Sequence, residues 1–185
     1  VVEMIYGKAK EQRDDPQWIK AVIYRIRLRS EFQENFFPLT IAGLKKEIAA
    51  AEAPSKQILH SILGEVYWRY YQMNQYRFRD RTRVSGNLSD SVDTWDLNTL
   101  AQAIAQTYLA SLMSPDSLEQ APIGRFEAIV EADAFDGGRP DSARKEAARF
   151  TPTLYDFLAG RALDYFTSAR GSIPQPAGRF EVDQP

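Results

Sequence analysis

Apolar residues recur along this chain at spacings of three and four, and sustained alternation of the strand type is almost absent, so the pattern predicts helices throughout. Met4, Ile5 and Ala9 mark a first helix that runs to the polar stop QRDD. Pro16 opens a second from its favoured first-turn position, with Asp15 as the expected N-cap and Ile19, Val22, Ile23 and Ile26 on the buried face. These two helices form a hairpin. Beyond the aromatic connector FQENFF, a third helix is predicted to open at Pro38 or just past it and to run through AAAEA into Pro54. A fourth follows as far as Phe78, with Ile58, Leu59, Ile62, Leu63, Val66, Tyr67, Tyr70 and Tyr71 facing inward.

The segment RTRVSGNLSDSVDT reads as a polar loop. Asp96 then caps a fifth helix that reaches roughly Leu112, with Leu97, Leu100, Ile104, Tyr108 and Leu112 on one stripe. SPDSLEQAP and IGRFEAIVEA predict short helical turns, DAFDGGRP a loop, and DSARKEAARF a short helix. In TPTLYDFLAGRALDYF, Thr151 is the expected N-cap and Pro152 the first helical residue. Leu154, Leu158, Arg161 and Tyr165 form one stripe, and Tyr155, Ala162 and Phe166 form another. A helix apolar on most sides is expected to be buried on most sides, so this one should close the core.

The fold expected is therefore all-α: stacked antiparallel helical hairpins over residues 1–170, tetratricopeptide-like in the first half and closed by a buried C-terminal helix. His60, Leu63, Gly64 and Tyr67 reproduce the opening half of a tetratricopeptide repeat, in which a small residue lets the helices of a hairpin approach closely. The rest of that pattern fails, so no regular array is expected. Residues 171–185, with GSIPQPAG, read as a Pro/Gly-rich linker to following domains.

Composition narrows the function classes. A chain of 185 residues is long enough for one domain with a substantial core. With 23 basic against 25 acidic residues it has no overall pull toward nucleic acid or an anionic membrane. The absence of Cys excludes disulfides, thiolate metal sites and a thiol nucleophile. No apolar run approaches the ~20 residues of a transmembrane helix. The opening VVEMIYGKAKEQ lacks an initiator Met and reads as helix interior, which implies a piece of a longer chain with its targeting sequence upstream.

Five stretches invite chemistry. YWRYYQMNQYRFRDRTR interleaves rings with Arg69, Arg77, Arg79, Arg81 and Arg83, a combination that binds single-stranded nucleic acid by stacking and phosphate pairing. Tyr67, Tyr70 and Tyr71 share a face with Leu63, however, so the rings are expected to pack inward and no nucleic acid is expected as a partner. Arg69, Arg77, Arg79 and Arg81 are then candidates for a protein-interaction surface. SLEQ, residues 117–120, matches the thioester element CxEQ except for the thiol that reaction needs. EADAFDGG has the acids of a calcium loop but not its register, since its sixth residue is Asp136 and the twelfth position is Ser142. His60, the single His, sits among core positions and has no second His or Cys to join it on zinc. Asn87-Leu88-Ser89 has the form of a glycosylation acceptor. No catalytic residue, cofactor or metal is assigned, and the domain is expected to be non-enzymatic.

QWIKAVIYRIRLRSEF, SKQILHSILGEVYWRYYQMNQYRFRDRT, DTWDLNTL with its YLASL continuation, and TPTLYDFLAGRALDYF together resemble the N-terminal helical region of the large alpha-2-macroglobulin-like proteins of Bacteroidetes, in the same order. The resemblance implies a long exported protein, periplasmic or at the cell surface and outer-membrane anchored, whose other domains are mostly β-sandwiches. It implies protease capture and inhibition as the function of the whole. The partners it implies are the other domains of the same chain, and target proteases or peptides. In a bacterial protein the Asn87 acceptor loses its meaning. The competing class is a free-standing helical adaptor that binds peptides.

Overall fold

The computed structural model describes residues 1–32, 35–79, 91–126 and 151–168. Within them the chain is all-α: α1 (Val2–Gln12), α2 (Asp15–Phe32), α3 (Phe36–Ala50), α4 (Ser55–Met73), α5 (Gln75–Arg79), α6 (Leu97–Ala110), α7 (Pro115–Glu119) and α8 (Leu154–Ser168). Two 3₁₀ turns, Val92–Thr94 and Ile123–Phe126, complete the described set. The expected helix at DSARKEAARF, the loop DAFDGGRP and the linker 171–185 lie outside the described residues.

The first hairpin turns at Arg13, which adopts the left-handed conformation with φ 54°. The N–H of Arg13 donates to Lys10 O and that of Asp14 to Ala9 O, the Schellman arrangement that ends a helix and satisfies its last carbonyls. The cap of α2 is Asp14 rather than Asp15. Its carboxylate accepts from the Gln17 N–H at 3.2 Å and its carbonyl from the Trp18 N–H at 2.9 Å. Pro16 consequently sits second in the helix, where a missing N–H loses no bond. The face Ile19, Val22, Ile23 and Ile26 is buried as expected.

α3 begins at Phe36, two residues before Pro38, because a proline is tolerated throughout a first turn whose N–H groups have no helical partner. α4 stops at Met73 instead of reaching Phe78. The amide Nδ2 of Asn74 donates to Tyr70 O at 2.8 Å, and its backbone N–H is shared between Tyr70 O and Tyr71 O. Asn74 leaves the helical conformation, with φ −120° and ψ 20°, and its side chain takes up the second lone pair of Tyr70 O, so the end of α4 is satisfied locally and α5 follows as a separate helix. The polar loop ends sooner than its composition suggests, since Val92 is 1% exposed and belongs to the core.

Asp96 caps α6 as expected, accepting from the Thr99 N–H at 2.7 Å. α4 and α6 are antiparallel: Tyr67 lies beside Trp95, just before α6, whereas His60 shares a cleft with Ala110 at its end. Gly64 makes their close approach feasible, for a Cβ there would stand 3.1–3.3 Å from the Tyr108 ring. The small residue of the repeat-like motif thus serves the α4–α6 contact and not the α3–α4 hairpin.

α8 starts at Leu154 with Thr153 as its cap, not at Pro152 behind Thr151. The Asp156 N–H donates to Thr153 Oγ1 at 3.2 Å and the Thr153 N–H returns to Asp156 Oδ2 at 3.0 Å, a reciprocal capping box. Pro152 and Thr153 are held extended instead, because Ile123 N–H donates to Pro152 O and Leu154 N–H to Ala121 O. α8 packs on α4, α6 and α7 through Leu154, Leu158, Ala162 and Tyr165. Burial is confined to that stripe; Leu163 is 62% exposed and Phe166 36%, so the helix closes one side of the core and leaves its own outer face open.

Candidate functional site

The arginines expected to form a surface do not share one fate. Arg77 Nη1 lies 3.7 Å from Asp93 Oδ1 and donates to Asn74 Oδ1 at 3.5 Å. Asp93 also accepts from the buried Tyr70 hydroxyl at 2.9 Å, so Arg77 braces the Val92–Thr94 turn against the α4–α5 junction. Arg69 is half-buried and partnered. Arg79 ends α5, but its side chain, like Arg81 and Arg83, lies outside the described residues. Tyr67, Tyr70 and Tyr71 are buried, at 2%, 2% and 5% exposure. Their rings contact Trp95, Phe37, Trp68 and Phe78 rather than solvent.

His60 is half-buried and borders a cleft of about 370 Å³ between α3, α4 and α6, together with Lys45, Gln106 and Thr107. Burial lowers its pKa below the ordinary value, and the Lys56 charge one turn earlier lowers it further. The imidazole is therefore neutral at pH 7, and among the described residues no carboxylate lines the cleft to orient it. In SLEQ, Leu118 is fully buried, so the motif is packing at the end of α7. EADAFDGG and Asn87-Leu88-Ser89 lie outside the described residues. Among the described residues no three His, Asp or Glu side chains gather where a metal ion could be held.

Two polar constellations escaped sequence reasoning. The first ties α8 to α4: the guanidinium of Arg161 pairs with Glu65 and donates from Nε to Ser61 Oγ at 2.9 Å. Its signal was an arginine standing in an otherwise apolar stripe. The second joins α1, α2 and α3. Tyr6 Oη and Lys10 Nζ both donate to the Glu47 carboxylate, Lys10 at 2.7 Å. Burial works against the Lys10 charge, but the bond to Glu47 and the contact with Tyr6 outweigh it and raise the pKa. Arg25 lies over the Tyr6 ring, 4.3 Å from its centroid, and Glu3 faces both Arg25 and Arg29. Here the signal was faint, two arginines four residues apart beside a buried face.

Beneath this second network is a cavity of about 70 Å³ lined by Arg25, Arg29, Thr40, Gly43 and Glu47 over apolar side chains of α2 and α3. The Thr40 hydroxyl is buried without a hydrogen-bond partner, whereas the buried Arg25 Nε is ion-paired with Glu3 Oε1 at 2.9 Å. At the hairpin turns, Trp18 Nε1 and Ser55 Oγ are likewise buried and unpartnered, and both residues line a cleft of about 450 Å³. Comparison with protein-family models, with curated proteins and with solved structures gives no match.

Proposed function

We propose that this chain is a non-catalytic scaffold and protein-interaction domain of an alpha-2-macroglobulin-like protein that captures and inhibits proteases at the cell envelope. What supports the reading is where the four resembling segments fall. QWIKAVIYRIRLRSEF lies within α2, SKQILHSILGEVYWRYYQMNQYRFRDRT begins with α4, DTWDLNTL with YLASL spans the Val92–Thr94 turn and α6, and TPTLYDFLAGRALDYF is α8. These elements supply much of the shared core, to which α3 adds Phe36, Ile41, Leu44 and Ile48. Tyr67 meets Trp95, Trp68 meets Tyr165, Tyr108 stacks on Tyr165, and Arg161 reaches back to Glu65.

Three polar contacts at the edge of the core join one element to another. Arg161–Glu65, Tyr6–Glu47 and Tyr70–Asp93 each bridge two elements, which suits a scaffold. The test is an immunoblot of fractionated source cells with antibody raised against this chain. A band several times the 21.0 kDa of the chain, in the envelope fraction, is expected. A band at the chain's own mass in the cytoplasm would overturn the reading in favour of a free-standing helical adaptor.

A further inference from the structure

We propose that the groove between α3 and α6, floored by α4, binds an extended acidic segment of a partner protein, with an apolar side chain on the floor and carboxylates at the rim. The proposal deepens the protein-interaction part of the reading above and stands whether or not the parent is macroglobulin-like: the immunoblot decides the parent, and the titration below decides the groove. Its basis is shape together with charge. α3 and α6 both pack on α4, and the cleft of about 370 Å³ lies where the three meet. Leu63 and Tyr67 of α4 and Ile48 of α3 give it an apolar base. Ala103, Thr107 and Ala110 of α6 recur at helical spacing, so one wall is a row of small side chains. From Ala103 to Ala110 that wall runs about 10 Å, the reach of about three extended residues.

Charge selects the occupant. Lys45 stands at one end with its Nζ 5.6 Å from the centre of the Trp95 ring, a contact that favours the charged ammonium. His60 stands at the other, beside Ala110, with Lys56 close enough to act on its titration. α6, LNTLAQAIAQTYLA, carries no charged residue, and among the described residues no carboxylate lines the cleft. Neighbouring acids are committed elsewhere: Glu47 accepts from Lys10 and Tyr6, Glu65 pairs with Arg161, and Asp96 caps α6. The groove is thus cationic in a chain whose net charge is −2. A segment bearing carboxylates gains by docking there, and a basic one is repelled. Gln106, exposed at the rim, and the His60 imidazole add hydrogen-bonding groups for the main chain of such a segment. A nucleic acid would share the charge but has no aliphatic side chain to lay over Leu63.

The single histidine makes the test direct, since its ring protons give one resolvable set of ¹H NMR signals in the 185-residue chain. The probe is an acetylated, amidated peptide, Ala-Glu-Leu-Glu-Ala, added to the whole chain at low ionic strength. It is expected to move the His60 signals saturably and to raise the His60 pKa. An anion beside the imidazole favours the charged form, against Lys45 on α3 and Lys56 on α4, while α6 contributes no charge. Affinity should therefore rise as pH falls through that pKa. Ala-Gln-Leu-Gln-Ala should bind several-fold more weakly, and Ala-Lys-Leu-Lys-Ala should leave the signals unmoved. Lys45→Glu should weaken the acidic peptide by about tenfold, as an attraction becomes a repulsion. Gln106→Trp, a change at an exposed position, should abolish binding by filling the groove while the thermal melt stays as it was. No saturable shift, equal binding of the glutamine peptide, full affinity in Gln106→Trp or in Lys45→Glu, or an oligothymidylate binding more tightly than the peptide would each overturn the proposal.

Discussion

Gly64→Ala sets two effects of known size against each other. Replacing a glycine inside a helix by alanine stabilises it by about 1 kcal/mol, because alanine has less backbone freedom to lose. At Gly64, however, the new Cβ would stand 3.1, 3.2 and 3.3 Å from Cε2, Cδ2 and Cζ of Tyr108. Carbon atoms prefer roughly 3.5–4.0 Å, so the ring must retreat by about 0.4 Å. It has nowhere to go: Tyr108 is 4% exposed and stacks on Tyr165 at 5.0 Å, and Tyr165 is held edge-on against Trp68 at 5.3 Å. Overpacking of this kind costs about 1–3 kcal/mol. The net expectation is a loss of about 1 kcal/mol, or a Tm lower by about 2–4 °C in a chain of this size. Gly43→Ala and Gly160→Ala are the controls, since a Cβ at either meets nothing within 4 Å, and both should raise Tm. Thermal melts followed by circular dichroism at 222 nm read all three. If Gly64→Ala raises Tm as much as the controls do, the α4–α6 approach is looser than the distances require and the reasoning fails.

Three further outcomes are expected. Arg161→Leu leaves the Glu65 carboxylate, 17% exposed, without its cation and should cost about 2–3 kcal/mol in urea denaturation; Arg161→Leu with Glu65→Leu should recover most of it, and a loss below about 0.5 kcal/mol for the single change would show that the pair does not hold α8. Thr153→Ala should cost about 1 kcal/mol while Thr151→Ala stays within about 0.5, and the reverse order would restore Thr151 as the cap. Tyr165 has its pKa raised to about 12, first by burial and then by the Tyr71 charge. Between pH 10 and 12 the unfolded chain gives up this proton while the folded one keeps it, so the stability it contributes is complete below pH 10 and is lost as pH rises toward 12. The slope is at most about 1.4 kcal/mol per pH unit, and Tyr165→Phe should flatten it; an unchanged alkaline slope in that variant would contradict the assignment.

Helix existence was legible because it rests on local order: apolar residues three and four apart mark the buried faces of α2, α4 and α6, and Asp96 caps α6 from its own sequence neighbourhood. Boundaries were less so where two residues could each serve. Asp14 and Asp15 are both competent caps, as are Thr151 and Thr153, and the choice falls to distant partners: Pro152 stays extended because the chain at Ala121–Ile123 bonds to it. Asn74 ends α4 by a bond to Tyr70 that a hydrophobic pattern running on to Phe78 does not disclose. The candidate surface was only half visible, since the charge of Arg77 is plain in the sequence but its commitment to Asp93 depends on how the Val92–Thr94 turn docks.

By itself, then, the sequence determined the all-α class, the hairpin order and the inward faces, because each depends on spacing within one helix. Tertiary structure alone decided that Gly64 meets Tyr108, that Arg161 reaches Glu65 across nearly a hundred residues, and that Thr40 and Arg25 line one cavity. Those are contacts between helices, and the angle and height at which two helices meet are set by the sum of all their side chains rather than by any stretch of either one.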